Sequence, residues 1–320
     1  MTAAQRTNQV IDVRQWPESE MYSPYPEGTR EKRLYSCPSP SPFKFLICGH
    51  KYLFKQSSHR YPEQFWTEVL AYQLGMKMGV QVPPTFVAIN SDNGQCAALI
   101  EWFFEYPSNE PERYTPGGDF MQRLLPKYDR RKGGLHNFNT IRKFLYALGK
   151  GENLEGDWVA YWATTFTFDA LIGNTDRHQD NWGIIWRFPV GVDLARGRLA
   201  PAFDNGTSMG HEIRNEDFTK FLDESRLRRY VMRGTHHMKW SLADADRVNH
   251  LAFLQRLCGT FPAAKEHMAA ALLRVNAADM GKIAGRLTRY DVPVRFSEER
   301  ADFVVRLLSF RHQWILEGLA

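Results

Sequence analysis

The chain has 320 residues, enough for one large two-lobed unit or two domains with sizeable cores. A 43% hydrophobic content with nine Trp and 21 Phe excludes a disordered chain, and a net charge of +5 is too small to define a partner class. Cys37, Cys48, Cys96 and Cys258 lack C-x-x-C spacing, which excludes a disulfide framework and predicts free thiols in a reducing cytoplasm; no apolar stretch reaches membrane-spanning length, and residues 1–14 have no apolar export region.

Along the chain, Ser and Pro alternate over residues 36–42 and predict a turn-rich loop. Residues 43–48 and 51–56 are short apolar or alternating runs joined by Gly49-His50, which predicts a β-hairpin with Lys55 on its second strand. Residues 63–78 carry Phe65, Val69, Leu70, Tyr72 and Leu74 near helical spacing, and Val82-Pro83-Pro84 stops that helix. Strands are expected at 85–89 and 95–103, linked by a tight turn at Asn93-Gly94. Residues 106–118 are rich in Pro, Gly and polar side chains. From about Phe120 the pattern is helical, most clearly at 140–148, 157–172, 244–258, 262–276 and 298–316, interrupted by a small hairpin of 182–186 and 198–200. A small β-rich lobe of residues 1–105 is therefore expected before a larger helical lobe of residues 106–320.

The chemistry concentrates on Gly173-Asn174-Thr175-Asp176-Arg177-His178-Gln179-Asp180-Asn181, a polar loop following a helix anchored by Trp158, Trp162, Phe166 and Leu171. Asp176 and Asn181 are five positions apart, and Asp204 arrives across the expected hairpin. Phosphoryl transfer uses such parts: a carboxylate orients the attacking hydroxyl, while hard oxygen ligands hold Mg²⁺ against a highly charged group. Protein kinases place a catalytic carboxylate and a metal-binding amide at this same spacing.

On these residues the sequence resembles the HipA-like kinases, whose catalytic loop reads D-x-H-x-x-N and whose later metal Asp lies in an apolar-P-x-[FY]-D segment. Here the segments are Asp176-Arg177-His178-Gln179-Asp180-Asn181 and Ala200-Pro201-Ala202-Phe203-Asp204. The resemblance implies an α+β, bilobal protein-kinase-like fold and an ATP- and Mg²⁺-dependent Ser/Thr protein kinase. It makes Asp176 catalytic, Asn181 and Asp204 metal ligands, and His178 a support of the loop; Asp180 is given no catalytic role. Gly28-Thr29-Arg30-Glu31-Lys32 looks like the phosphate-side loop, with Gly28, Thr29 and Lys32 toward nucleotide. Lys55 falls where such kinases hold the α- and β-phosphates, Glu68 would be its ion-pair partner with Glu63 the competitor, and Glu101-Trp102-Phe103 would form the adenine-binding hinge.

About 27 residues precede Gly28, so the chain looks like the shorter members of that family. A toxin role with an antitoxin or regulatory partner, and autophosphorylation at Ser23, Thr29, Ser36, Ser39 or Ser41, are further implications. The Asp-Arg-His-x-x-Asn order is also similar to phosphoinositide kinases, so a lipid substrate stands beside a protein one, and a pseudokinase that binds nucleotide without transfer is the non-enzymatic alternative. No nucleic-acid-binding motif is recognised. Residues 233–240, basic and aromatic, could receive substrate or form a packed loop, and His236 and His237 lack the ligand spacing of a zinc site.

Overall fold

A computed structural model describes residues 4–19, 30–107, 110–188 and 195–320; Ser23, Gly28 and Thr29 lie outside the described residues. The first part of the chain forms β1 (Ile11–Asp12), β2 (Lys32–Ser36), β3 (Lys51–Gln56), α1 (Phe65–Met78), β4 (Thr85–Asn90) and β5 (Gln95–Glu101). Among the described residues these strands make a five-stranded sheet ordered β1-β4-β5-β3-β2, in which only the β1 to β4 pairing is parallel. Strand alternation decides its two faces. Leu53, Val87, Ala98 and Ile100 join the core under α1, whereas Tyr52, Phe54, Phe86 and Leu99 join a second cluster on the opposite face. Lys55 lies two residues beyond Leu53 and so shares the face that looks toward α1, with Lys32 opposite it in register on β2. The Asn93-Gly94 turn closes β4 onto β5, and Gly94 takes a φ of 70° that a side chain would disfavour.

The expected hairpin of 43–48 with 51–56 does not form: β3 pairs with β2 instead, and residues 43–48 form turns. The reason is burial. Phe45 and Leu46 are neighbours in sequence yet both enter the second cluster, which a two-residue strand period forbids.

The second part comprises β6 (Glu112–Pro116), α2 (Gly117–Leu124), α3 (Phe138–Lys150), β7 (Leu154–Glu155), α4 (Trp158–Ile172), β8 (Gly183–Arg187) and β9 (Arg196–Leu199). A 3-10 helix (Asn215–Leu222) follows, then α5 (Glu224–Arg233), α6 (His250–Thr260), α7 (Ala263–Leu273), α8 (Ala277–Leu287) and α9 (Glu298–Leu319). The hairpin expected near residue 184 is present as β8 and β9, with Ile184 opposite Leu199. Residues 112–116, in a stretch noted only for its Pro, Gly and polar content, form β6, because they pair antiparallel with β8 far along the chain. One expectation fails. The helix expected from residue 244 begins at His250, since Asn249 caps it by accepting the Ala252 amide at 2.8 Å while Asp244 accepts the Ser241 amide in a preceding turn.

One core runs from Leu53 and the α1 residues Trp66, Leu70 and Leu74 through Trp162 and Phe166 of α4 to Leu307 of α9. The junction is also polar: Trp66 donates its indole N–H to the Val294 carbonyl at 3.0 Å, and Arg300 meets Glu63 at 3.0 Å. No described helix is long and apolar enough to cross a membrane.

Candidate active site

Asp157 caps the start of α4 by accepting the Val159 amide at 2.8 Å, and Gly173 ends the helix at a φ of 68°. A Cβ at Gly173 would also meet the Arg311 guanidinium, so glycine is needed there twice over. The loop beyond is tied by its own polar groups, as Asp and Asn favour. The Asn174 side chain accepts the Asp176 amide at 2.9 Å, and Asn181 donates its Nδ2 to the Asp176 carbonyl at 2.7 Å. His178 Nδ1 accepts the Asp180 amide at 3.1 Å, a bond within the loop. Asp180 grips Arg130 at 2.7 Å, and Arg130 also holds Asp119 at 2.6 Å; Asp180 and Arg130 both line the cleft described below.

Opposite this loop, Lys55 Nζ lies 2.7 Å from Glu68 Oε1 and 2.5 Å from Asp204 Oδ1. The three residues come from β3, α1 and the segment after β9. Glu68 is 3% exposed, and its other oxygen accepts the Asn205 amide at 2.9 Å. Glu63, the competing acid, is instead paired with Arg300. Asp204 adopts a φ of 55°, a left-handed conformation tolerated best by Asp, Asn and Gly. Burial pushes its carboxyl upward, but Lys55 and Arg30 overcome that and hold it well below the usual range. Asp176 moves the other way: burial raises its carboxyl, His178 pulls it down and Asp204 pushes it up, with the net shift upward. Burial lowers the Lys32 ammonium against the pull of Asp204.

Arg30, to which the sequence alone assigns no role, joins them: its Nη2 lies 3.2 Å from Glu68 and 3.0 Å from Asp204. A Cβ on Gly206 would strike the same guanidinium. Arg177, also unassigned, is buried against Asp169 of α4. Burial raises the Asp169 carboxyl, and Arg177 outweighs it to leave the group at about 2. Neither role carries a local signal, because the partners lie elsewhere in the chain.

A cleft of about 1000 Å³ lies between these walls, lined by Arg30, Lys32, Lys55, Asp176, Phe203 and Asp204 among others. Leu53 and Ile100 contribute apolar surface to it, whereas Glu101, Trp102 and Phe103 are buried. Glu101 accepts hydrogen bonds from Tyr106 at 2.8 Å and Tyr52 at 3.4 Å. The Trp102 amide donates to the Lys51 carbonyl, and its carbonyl meets His50 Nε2 at 2.6 Å, so both main-chain groups of Trp102 are engaged within the protein. Of residues 233–240, His236 is packed between Phe166 and Phe253 while His237 reaches the cleft.

The donor set suits a hard divalent cation of the Mg²⁺ kind. Among the described residues no group of three or more His, Cys, Asp or Glu could hold a metal by itself. Mg²⁺ does not need one, since it commonly takes one or two protein oxygens and completes its shell with phosphates and water. Asp204 offers a carboxylate with a third of its side chain open, and Asn181, its nitrogen committed to Asp176, offers an amide oxygen.

Two lobes closing on a strand lysine, a helix glutamate and a left-handed aspartate define a protein-kinase-like fold. The chain belongs to the HipA-like C-terminal domain family, which matches residues 28–281. The crystal structure of the Helicobacter pylori proinflammatory kinase CtkA is similar at a TM-score of 0.73 and 17% identity, covering 97% of this chain and 96% of that one. A chain of the Shewanella oneidensis MR-1 toxin–antitoxin complex of HipA, HipB and operator DNA is similar at a TM-score of 0.50 and 13% identity, covering 95% and 68%. Among curated proteins the sequence finds no match.

Proposed function

We propose that the chain is an ATP- and Mg²⁺-dependent protein Ser/Thr kinase of HipA-like type, transferring the γ-phosphoryl group to a protein hydroxyl. The observation that carries this reading is the meeting of Lys55, Glu68 and Asp204 across one cleft from Asp176. In it, Glu68 aims Lys55 at the α- and β-phosphates, and Lys32 adds positive charge on the same side; the family resemblance assigns Gly28 and Thr29 to the phosphate loop as well. Asn181 and Asp204 would hold Mg²⁺, which when bound neutralises and orients the phosphate oxygens. Asp176 orients the acceptor hydroxyl and takes its proton as the oxygen bonds to the γ-phosphorus and the bond from that phosphorus to the bridging oxygen breaks, releasing ADP; its raised carboxyl suits that exchange. His178 keeps the loop in shape. Adenine would lie toward Leu53, Ile100 and the hinge at Glu101, Trp102 and Phe103, with Phe103 stacked 5.0 Å from Phe203.

The same reading assigns residues 1–105 to nucleotide and 106–320 to catalysis, and a cytoplasmic location. A protein substrate and an antitoxin-type regulator would be its partners, the latter suggested by the HipA and HipB complex. Supplying labelled ATP and Mg²⁺ with a cell protein extract in one arm and phosphoinositide vesicles in another tests it. Label on Ser or Thr of protein is the expected result. Label confined to lipid would favour the phosphoinositide alternative, and bound nucleotide without transfer would favour the pseudokinase.

A further inference from the structure

Asn181 and Asp204 must face one ion if they are to share it, yet they belong to separate segments, one closing the catalytic loop and the other following β9. A single buried guanidinium spans the two. Arg177 is 1% exposed, and its Nε and Nη2 engage Asp169 of α4 at 3.0 and 2.7 Å. Its Nη1 donates to the Asn181 carbonyl at 3.3 Å and to the Phe203 carbonyl, and its Nη2 donates to Asn205 Oδ1 at 2.8 Å. Thus the main chain of one candidate ligand and both neighbours of the other converge on the same group. Asn205 extends the connection to the first lobe, because its amide donates to Glu68 at 2.9 Å.

From this geometry we infer that Arg177 is a positioning residue for the metal site: it fixes Asn181 and Asp204 relative to each other and so sets divalent-cation affinity. The inference rests on the kinase reading, in which those two residues are the ligands. Guanidinium chemistry is required. A planar fork with five donors can hold one carboxylate with two contacts and still reach two carbonyls and an amide oxygen, whereas an ammonium provides one point with three donors. The rigid base is α4, whose Asp169 is fully buried and also receives the Asn174 side chain at 3.1 Å. Partners of metal ligands commonly change affinity by about 10- to 100-fold when lost.

The test titrates Mn²⁺ into protein with ADP, reading free Mn²⁺ by electron paramagnetic resonance, for wild type, Arg177→Lys and Asn205→Ala. Each variant is measured where circular dichroism shows it folded. Asn205→Ala keeps the Arg177 and Asp169 pair, so it carries the test if Arg177→Lys does not fold. The expected result is Mn²⁺ affinity weakened about tenfold or more in both variants, with metal-free ADP affinity within about threefold of wild type. A purely structural role would lower thermal stability and leave Mn²⁺ affinity unchanged in the folded protein, which would overturn the inference alone. Wild type that binds no Mn²⁺ with ADP would overturn the kinase reading and this inference together.

Discussion

Replacing Lys55 with Met removes one buried ammonium while keeping most of its volume, and the structure sets the size of the effect. Breaking a buried ion pair by deleting one partner costs about 3 to 5 kcal/mol when the survivor is left uncompensated. Here neither survivor is alone. Glu68 retains Arg30 at 3.2 Å and the Asn205 amide at 2.9 Å, and Asp204 retains Arg30 at 3.0 Å. Two carboxylates then share one guanidinium, and the expected loss for Lys55→Met falls below that range, at about 2 kcal/mol. Coupling to Glu68→Gln should be about 1 kcal/mol or more, because the side chains are 2.7 Å apart and 7% and 3% exposed. Urea unfolding of wild type, both single variants and the double variant measures both quantities, provided the slopes agree. Effects that add within about 0.5 kcal/mol, or a single-variant loss below that value, would refute the claim that Lys55, Glu68 and Asp204 act as one buried network.

Other expectations follow from equally local arguments. His250 is buried with neither ring nitrogen partnered among the described residues, and burial lowers it to about 3. Because the folded value lies below the unfolded one, the unfolded chain binds more protons between about pH 6.5 and 3, and stability falls as pH drops through that window. His250 alone contributes about 2 kcal/mol of loss between pH 7 and 5, so His250→Leu should lose about that much less than wild type in urea unfolding at the two pH values. Gly173→Ala faces both a left-handed backbone and the Arg311 guanidinium, and a destabilisation of about 3 kcal/mol is expected; a change under about 1 kcal/mol would show that the α4 end can relax. Glu68→Gln should weaken nucleotide binding about tenfold by loosening Lys55, while Glu63→Gln, which touches Arg300 instead, should leave it within about twofold by calorimetry.

Much of the site was legible because its signals are local. The alternation of β3 puts Lys55 on the α1 face, and the spacing of Asp176 and Asn181 places both on one loop. What the sequence could not show depends on partners far along the chain. Strand β6 lies in a stretch rich in Pro, Gly and polar side chains and becomes a strand only when β8 pairs with it. Residues 43–48 look like strand until the outer sheet face takes both Phe45 and Leu46. Glu63 and Glu68 are equivalent acids in a pattern; only the packing of α1 sends one to Arg300 and the other to Lys55. Arg177 stands in the Asp-Arg-His-x-x-Asn order, but that order does not name its partners, and its contacts to Phe203 and Asn205 exist only when β8 and β9 return the chain to the loop.

The central claim is that Asp176 directs phosphoryl transfer from nucleotide held by the Lys55 and Asp204 side of the cleft. The direct measurement is the rate at which phosphate from Mg²⁺-ATP appears on protein Ser or Thr, by intact mass and peptide mapping, for wild type and Asp176→Asn with nucleotide affinity measured in parallel. The account predicts a fall of about 10² to 10⁴-fold in rate with affinity largely kept. Undiminished transfer by Asp176→Asn, or none by wild type to itself or to any extract protein, would contradict it.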